Sequence, residues 1–168
     1  GAMCAACHVA NFTEDPGNVV VPAWSQGMVP PVFTDFTFDN LGVPVNPEIA
    51  ALIGATQPTD LGLGAVVGNV DENGKFKVMT LRNIGLTAPY AHNGIFIRIK
   101  DITHFYNTRD LLASCDDVSK PKPGKNCWDE PEYPNTMNVD ELGNLGLSDK
   151  DEDALVEFMK TLSDGWTP

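Results

Sequence analysis

Cys4-Ala5-Ala6-Cys7-His8 is a C-x-x-C-H run, and its reading decides the fold. Two thiols spaced this way can add across the vinyl groups of a haem and form thioether bonds, and the histidine that follows becomes the proximal iron ligand. The spacing is strict because both sulfurs and the imidazole must reach one porphyrin from a single helical turn. A redox-active C-x-x-C or half of a zinc site needs no adjacent histidine. The first also calls for a βαβ context, and the second for another C-x-x-C or a histidine pair; the sequence offers neither. The expectation is one covalent haem c on Cys4 and Cys7, with His8 bound to its iron.

Composition fits a single haem c domain over residues 1–168. The chain has 168 residues and is 42% hydrophobic, enough for a core around a buried cofactor. Its 13 prolines and 15 glycines call for long loops. It has no run of about 18 apolar residues, so no membrane span is expected. A net charge of −12 would repel nucleic-acid phosphates. It suits docking to a basic redox partner, and equally a protein kept soluble by its acidity. Haem c is attached outside the cytoplasm, so the expected location is periplasmic or otherwise extracytoplasmic, with an export signal removed. A haem motif so near residue 1 implies either a cut chain or a preceding domain. Cys115 and Cys127 remain after haem attachment. In an oxidising compartment they read as a disulfide closing a polar surface insertion near 115–127.

Along the chain, residues 9–32 read as loop. In Thr34–Pro44 the aromatics alternate, but the run is short and ends in Asn, Gly and Pro, so it reads as extended chain packed on the haem. Pro47–Ile53 reads as a short helix with proline at its start. Gly62–Gly74 reads as a glycine-rich turn region, and Phe76–Gly94 as mostly irregular. Ile99, Ile102, Phe105 and Tyr106 recur at helical spacing. Ser148 and Asp151 form a capping box for a last helix whose apolar stripe is Leu155, Phe158, Met159 and Leu162. The expected class is all-α, a cytochrome c-like haem domain with long irregular loops.

Two stretches add a resemblance: Phe33-Thr34-Asp35-Phe36-Thr37-Phe38-Asp39-Asn40-Leu41-Gly42-Val43-Pro44, and Phe76 through Leu81-Arg82-Asn83-Ile84-Gly85-Leu86-Thr87-Ala88-Pro89-Tyr90-Ala91-His92-Asn93-Gly94. With the haem motif and the closing Leu147-Ser148-Asp149 helix, the chain resembles the C-terminal haem domain of bacterial dihaem cytochrome c peroxidases and MauG-like proteins. That resemblance implies a partner haem domain, in which the peroxide-reacting haem sits. It implies that this domain's own haem is six-coordinate and passes electrons or oxidising equivalents. It also implies calcium between the domains, with Thr87 and Pro89 offering backbone carbonyls.

Candidates for the iron's distal face are Met28, Met79, Met137, Met159, His92, His104 and Tyr106. Met159 lies on the core stripe, Met28 and Met137 fall in loops, and Met79 stands where the family usually has proline. His92 belongs to a turn that the resemblance places near the haem surroundings. His104 and Tyr106 are two residues apart on one helix and so point to different sides. The family position of Tyr106 is methionine in classical peroxidases and tyrosine in the MauG type, which makes Tyr106 the expected distal ligand. The alternative is a core tyrosine with its hydroxyl hydrogen-bonded. The chain is thus expected to be an oxidoreductase domain of a dihaem peroxidase-like protein. The alternatives are a monohaem electron carrier or a structural cytochrome subunit.

Overall fold

The longest helix starts where its sequence provides for it. Ser148 accepts from the Asp151 backbone N–H, and Asp151 returns a carboxylate to the Ser148 N–H. This reciprocal cap satisfies two of the N–H groups that a helix start leaves unpaired. Among the described residues it is the last of four short α-helices: α1 (Pro47–Ile53), α2 (Leu63–Val67), α3 (Ile99–Thr108) and α4 (Asp149–Lys160). This computed structural model describes residues 3–9, 32–54 and 58–165. The expected loop at 9–32 and the candidate Met28 lie almost wholly outside the described residues.

The all-α expectation is corrected. Four two-residue strands make two small sheets: β1 (Phe38–Asp39) runs antiparallel to β2 (Phe76–Lys77), and β3 (Ala113–Ser114) runs parallel to β4 (Cys127–Trp128). The alternating aromatics of 34–38 find a partner strand after all, and Val78 N–H extends the pairing to the Thr37 carbonyl at 2.9 Å. Cys115 and Cys127 are disulfide-linked, which brings the short β3 and β4 segments side by side. Ladders this short and far apart in sequence leave no periodicity to read. The region 62–74, read as turn, also holds α2 and a 3-10 turn at Val70–Glu72.

The core is built on α3. Phe105 is completely buried and contacts Phe96 and Trp128 with ring centroids 5.1 Å from each; Val43, Tyr90, Ile99 and Val156 complete the cluster. Burying a phenylalanine side chain fully is worth about 1.5–3 kcal/mol. Trp128 Nε1–H donates to Thr108 Oγ1 at 3.1 Å, so its polar edge is satisfied inside this cluster.

The apolar stripe expected on α4 is redrawn. Glu152 and Val156 are the buried residues of α4, Leu162 is buried just beyond its end, Leu155 and Met159 are half-buried, and Phe158 is 49% exposed. Phe158 nonetheless stands edge-on to Phe33. Burial opposes the charge on Glu152, but donors from Asn107, His104 and Lys100 together hold its carboxyl below the usual range.

Candidate functional site: a cavity between the C-x-x-C-H turn and α3

Met3–Ala6 forms a 3-10 turn, and His8 N–H donates to the Cys4 carbonyl at 2.8 Å. One turn therefore turns Cys4, Cys7 and His8 together toward a cavity of about 640 Å³. Its walls include Leu41, Val43, Val78, Leu81, Ile84, Ile102 and Tyr106. Volume and lining are those of a small-molecule or cofactor site.

His8 has a defined tautomer. Its Nδ1 lies 2.8 Å from the Phe33 carbonyl, and a carbonyl can only accept. The proton therefore sits on Nδ1, which leaves the Nε2 lone pair free to bind a metal. Burial lowers the pKa of His8, opposed by the Phe33 bond and Asp35, so the neutral imidazole is favoured. Phe33 itself has φ of 54°, a left-handed conformation rare for a bulky residue. It is held there from several sides. The Arg82 guanidinium lies 5.3 Å from its ring centroid, Thr80 Oγ1 donates to the Val32 carbonyl, and Thr34 Oγ1 donates to the Val78 carbonyl.

Both motif cysteines are free thiols here and half-buried. Burial raises Cys4. Burial, followed by Glu141, Asp39 and Asp35, pushes the Cys7 thiol up to about 12. Cys7 Sγ approaches Glu141 Oε2 at 3.6 Å, and Asn138 Nδ2 donates to both Asp39 and Glu141. A nucleophilic redox cysteine sits in an electropositive setting that lowers its pKa, and this setting does the reverse.

Tyr106 comes from α3 on the cavity wall beside Ile102 and Thr103. Burial first, then the neighbouring Cys4, Asp39 and Cys7, raise its phenol well above the ordinary value. Its proton is therefore firmly held unless positive charge enters the cavity. His104 points elsewhere: its Nδ1 is 2.9 Å from Glu152 Oε1. His92 lines the cavity, stacked on Phe76 at 3.7 Å with Nε2 3.3 Å from Glu132. Met79 also lines the cavity but is 62% exposed, and Met137 packs on Gly42. Thr87 and Pro89 also line the cavity. Among the described residues, one His/Cys/Asp/Glu grouping is tight enough for a metal ion, Cys7 with Asp39 and Glu141. It does not include Thr87 or Pro89, whose carbonyls were expected to hold calcium, and it shares its cysteine with the C-x-x-C-H motif.

The donor set fits a covalently held haem. Two thiols, one imidazole with a free Nε2 and one phenol border a single, largely apolar cavity. Sequence reading missed the Phe33 carbonyl, because a backbone acceptor 25 residues away leaves no signature. It also missed Asp39 and Glu141 beside Cys7, which looked like ordinary solvated carboxylates.

Known proteins resemble the chain in sequence and in fold. No protein-family model matches the chain. It is 39% identical over 138 residues to the methylamine utilization protein MauG of Paracoccus denitrificans, an alignment covering 79% of this chain and 35% of that protein. It is 28% identical over 152 residues to a cytochrome-c peroxidase of Denitromonas iodatirespirans, again covering 79% and 35%. The dihaem peroxidase BthA of Burkholderia thailandensis superposes with a TM-score of 0.67 at 26% identity, covering 96% of this chain and 39% of that one. The chain spans little more than a third of the length of each of these relatives. With its C-x-x-C-H turn, its cavity and these matches, the chain belongs to the MauG-like and dihaem cytochrome c peroxidase family.

Proposed function

We propose that this chain is the C-terminal haem c domain of a dihaem peroxidase-like oxidoreductase of the periplasm or another extracytoplasmic compartment. It would pass electrons or oxidising equivalents between a redox partner and a peroxide-reacting haem in a second domain. The observation that carries this reading is that Cys4, Cys7, His8 and Tyr106 border one cavity. Among the described residues no helix is long and apolar enough to cross a membrane.

In this reading Cys4 and Cys7 would hold the haem through thioethers, and His8 Nε2 and the Tyr106 oxygen would be the atoms offered to its iron. The haem would supply one-electron redox chemistry. His8 is kept neutral and oriented by the Phe33 carbonyl. Tyr106 gives up its proton only to a strongly positive centre, so its phenolate favours the more oxidised iron and a potential below that of a His/Met site. The apolar walls limit water around both ligands. The Thr87–Pro89 segment would face the second domain, with calcium held at the junction by the Thr87 and Pro89 carbonyls.

The test combines haem retention with the ferric spectrum. Denatured holoprotein should keep one haem through acid extraction, and intact mass should show it bound. Tyr106→Phe should open the sixth coordination position, shift the ferric spectrum and admit cyanide more readily. Haem that extracts freely would overturn the thioether assignment. An unchanged spectrum in Tyr106→Phe would overturn the distal assignment and make Met79 the next residue to test. For the junction, calcium chelation of the full-length protein should alter the haem spectra; no change would overturn calcium's place there.

A further inference from the structure

Three side chains of α3 converge on one carboxylate of α4. Glu152 is 2% exposed. Its Oε1 accepts from His104 Nδ1 at 2.9 Å and from Asn107 Nδ2 at 2.6 Å. Its Oε2 lies 3.1 Å from Lys100 Nζ, an ion pair rather than a well-aligned hydrogen bond. Lys100, His104 and Asn107 are spaced i, i+4, i+7 and so form one line along α3 over two turns. At 3.6 residues per turn, Tyr106 stands about 120° around the helix axis from that line.

A buried carboxylate is a costly way to join two helices. A methionine of similar volume would pack there without desolvating a charge, and such replacements are often neutral or stabilising. Apolar packing, however, is not directional, whereas hydrogen bonds and an ion pair along one line of a helix fix its rotation. The apolar cluster beside α3 does not supply that fixity alone, because Ile102 and Tyr106 pack only at its edge, where they also line the cavity. Asn107 extends the tie by donating to the Leu147 carbonyl at 2.9 Å, next to the α4 cap.

We infer that Glu152 is a positioning residue: by locking the rotation of α3 it holds the Tyr106 oxygen toward the donor set of the C-x-x-C-H turn. This rests on the reading of Tyr106 as distal ligand. The role differs from stability alone, because it predicts a change at the cofactor from a residue on another helix that does not line the cavity.

The test uses the full-length ferric holoprotein with Glu152→Met, which keeps volume and removes all three Glu152 contacts, leaving the Lys100 pairs to Asp149 and Asp153 and the Asn107 bond to Leu147 in place. Glu152→Gln is the milder variant, which keeps shape and removes the charge. Tyr106→Phe is the reference. Spectrum and cyanide association rate are read well below each variant's measured unfolding temperature. Glu152→Met should bind cyanide about tenfold faster than the parent, the equivalent of one charge-assisted hydrogen bond. Glu152→Gln should give about threefold by the same scale. Glu152→Met combined with Tyr106→Phe should be no faster than Tyr106→Phe alone, because both act through one oxygen. Should Glu152→Met not fold, Glu152→Gln decides by the same readings. A lowered unfolding temperature with parental spectrum and cyanide rate would reduce Glu152 to a structural tie and overturn the inference. A silent Tyr106→Phe would overturn the ligand assignment and this inference with it, so the two failures are distinguishable.

Discussion

The two sides of the cavity are built differently. The Tyr106 side is one helix, α3, carried on a packed aromatic core and tied to α4 by side chains. The His8 side is irregular chain: a 3-10 turn, a left-handed Phe33 and a set of single side-chain-to-backbone bonds from Thr34 and Thr80. Damage should therefore read out differently. On the helical side a lost apolar contact is shared among many neighbours and appears as lost stability, and only the directional tie through Glu152 is expected to reach the cofactor. On the irregular side each bond fixes one atom near the cofactor, so its loss should reach the cofactor directly.

The largest expected effect breaks the His8 side outright. Replacing Cys4 and Cys7 together by alanine should abolish haem retention after denaturing electrophoresis, while the α3–α4 helix pair keeps its far-ultraviolet signature. Haem retained by that variant would remove the basis for assigning the irregular side a cofactor role. Next comes a cut on the opposite side. Replacing Cys115 and Cys127 by serine opens a crosslink spanning 12 residues, and should cost about 3 kcal/mol on chain-entropy grounds. Denaturant titration would measure this, and the ferric spectrum should stay parental. A parental stability would show that the β3–β4 junction holds without its crosslink.

Thr34→Val tests the irregular side more finely. Thr34 is 2% exposed, donates to the Val78 carbonyl and accepts from the Phe36 N–H at 3.0 Å. Losing the buried bond to the Val78 carbonyl should cost about 1–3 kcal/mol. Because Thr34 follows Phe33, the variant should also shift the ferric spectrum through His8; an unshifted spectrum would blur the contrast between the two sides. The smallest effect expected is Ser148→Ala, which removes the α4 cap and should cost about 1 kcal/mol. It should leave cyanide binding unchanged, and altered binding would show that α4 reaches the site through its cap as well as through Glu152.

The same contrast governs what could be read in the sequence. The α3 pattern, the Ser148–Asp151 capping box and the proline that starts α1 rest on residues within one or two turns of each other, and each was visible. The C-x-x-C-H run is equally local. Tyr106 entered as a ligand through family resemblance, because a lone tyrosine on an apolar stripe reads equally well as core. The β1–β2 and β3–β4 pairs escaped because two-residue strands have no measurable period. Glu152 escaped because it sits in Asp149-Lys150-Asp151-Glu152-Asp153, a run that looks like a solvated helix face. Its partners lie about fifty residues upstream. His92 on Phe76 and the Phe33 carbonyl under His8 are likewise products of tertiary folding.

Phe105 is the residue before Tyr106 and is completely enclosed between Phe96 and Trp128. Interiors packed this densely leave no room for a ring to shift without moving its neighbours. A ligand mounted one position along from such a ring has almost no freedom to swing as the charge beside it changes. Electron exchange is slowed by whatever must rearrange each time an electron arrives or leaves. In the proposed reading, the buried phenylalanine would give the site a small reorganisation energy, a kinetic property contributed by a residue that does not line the cavity.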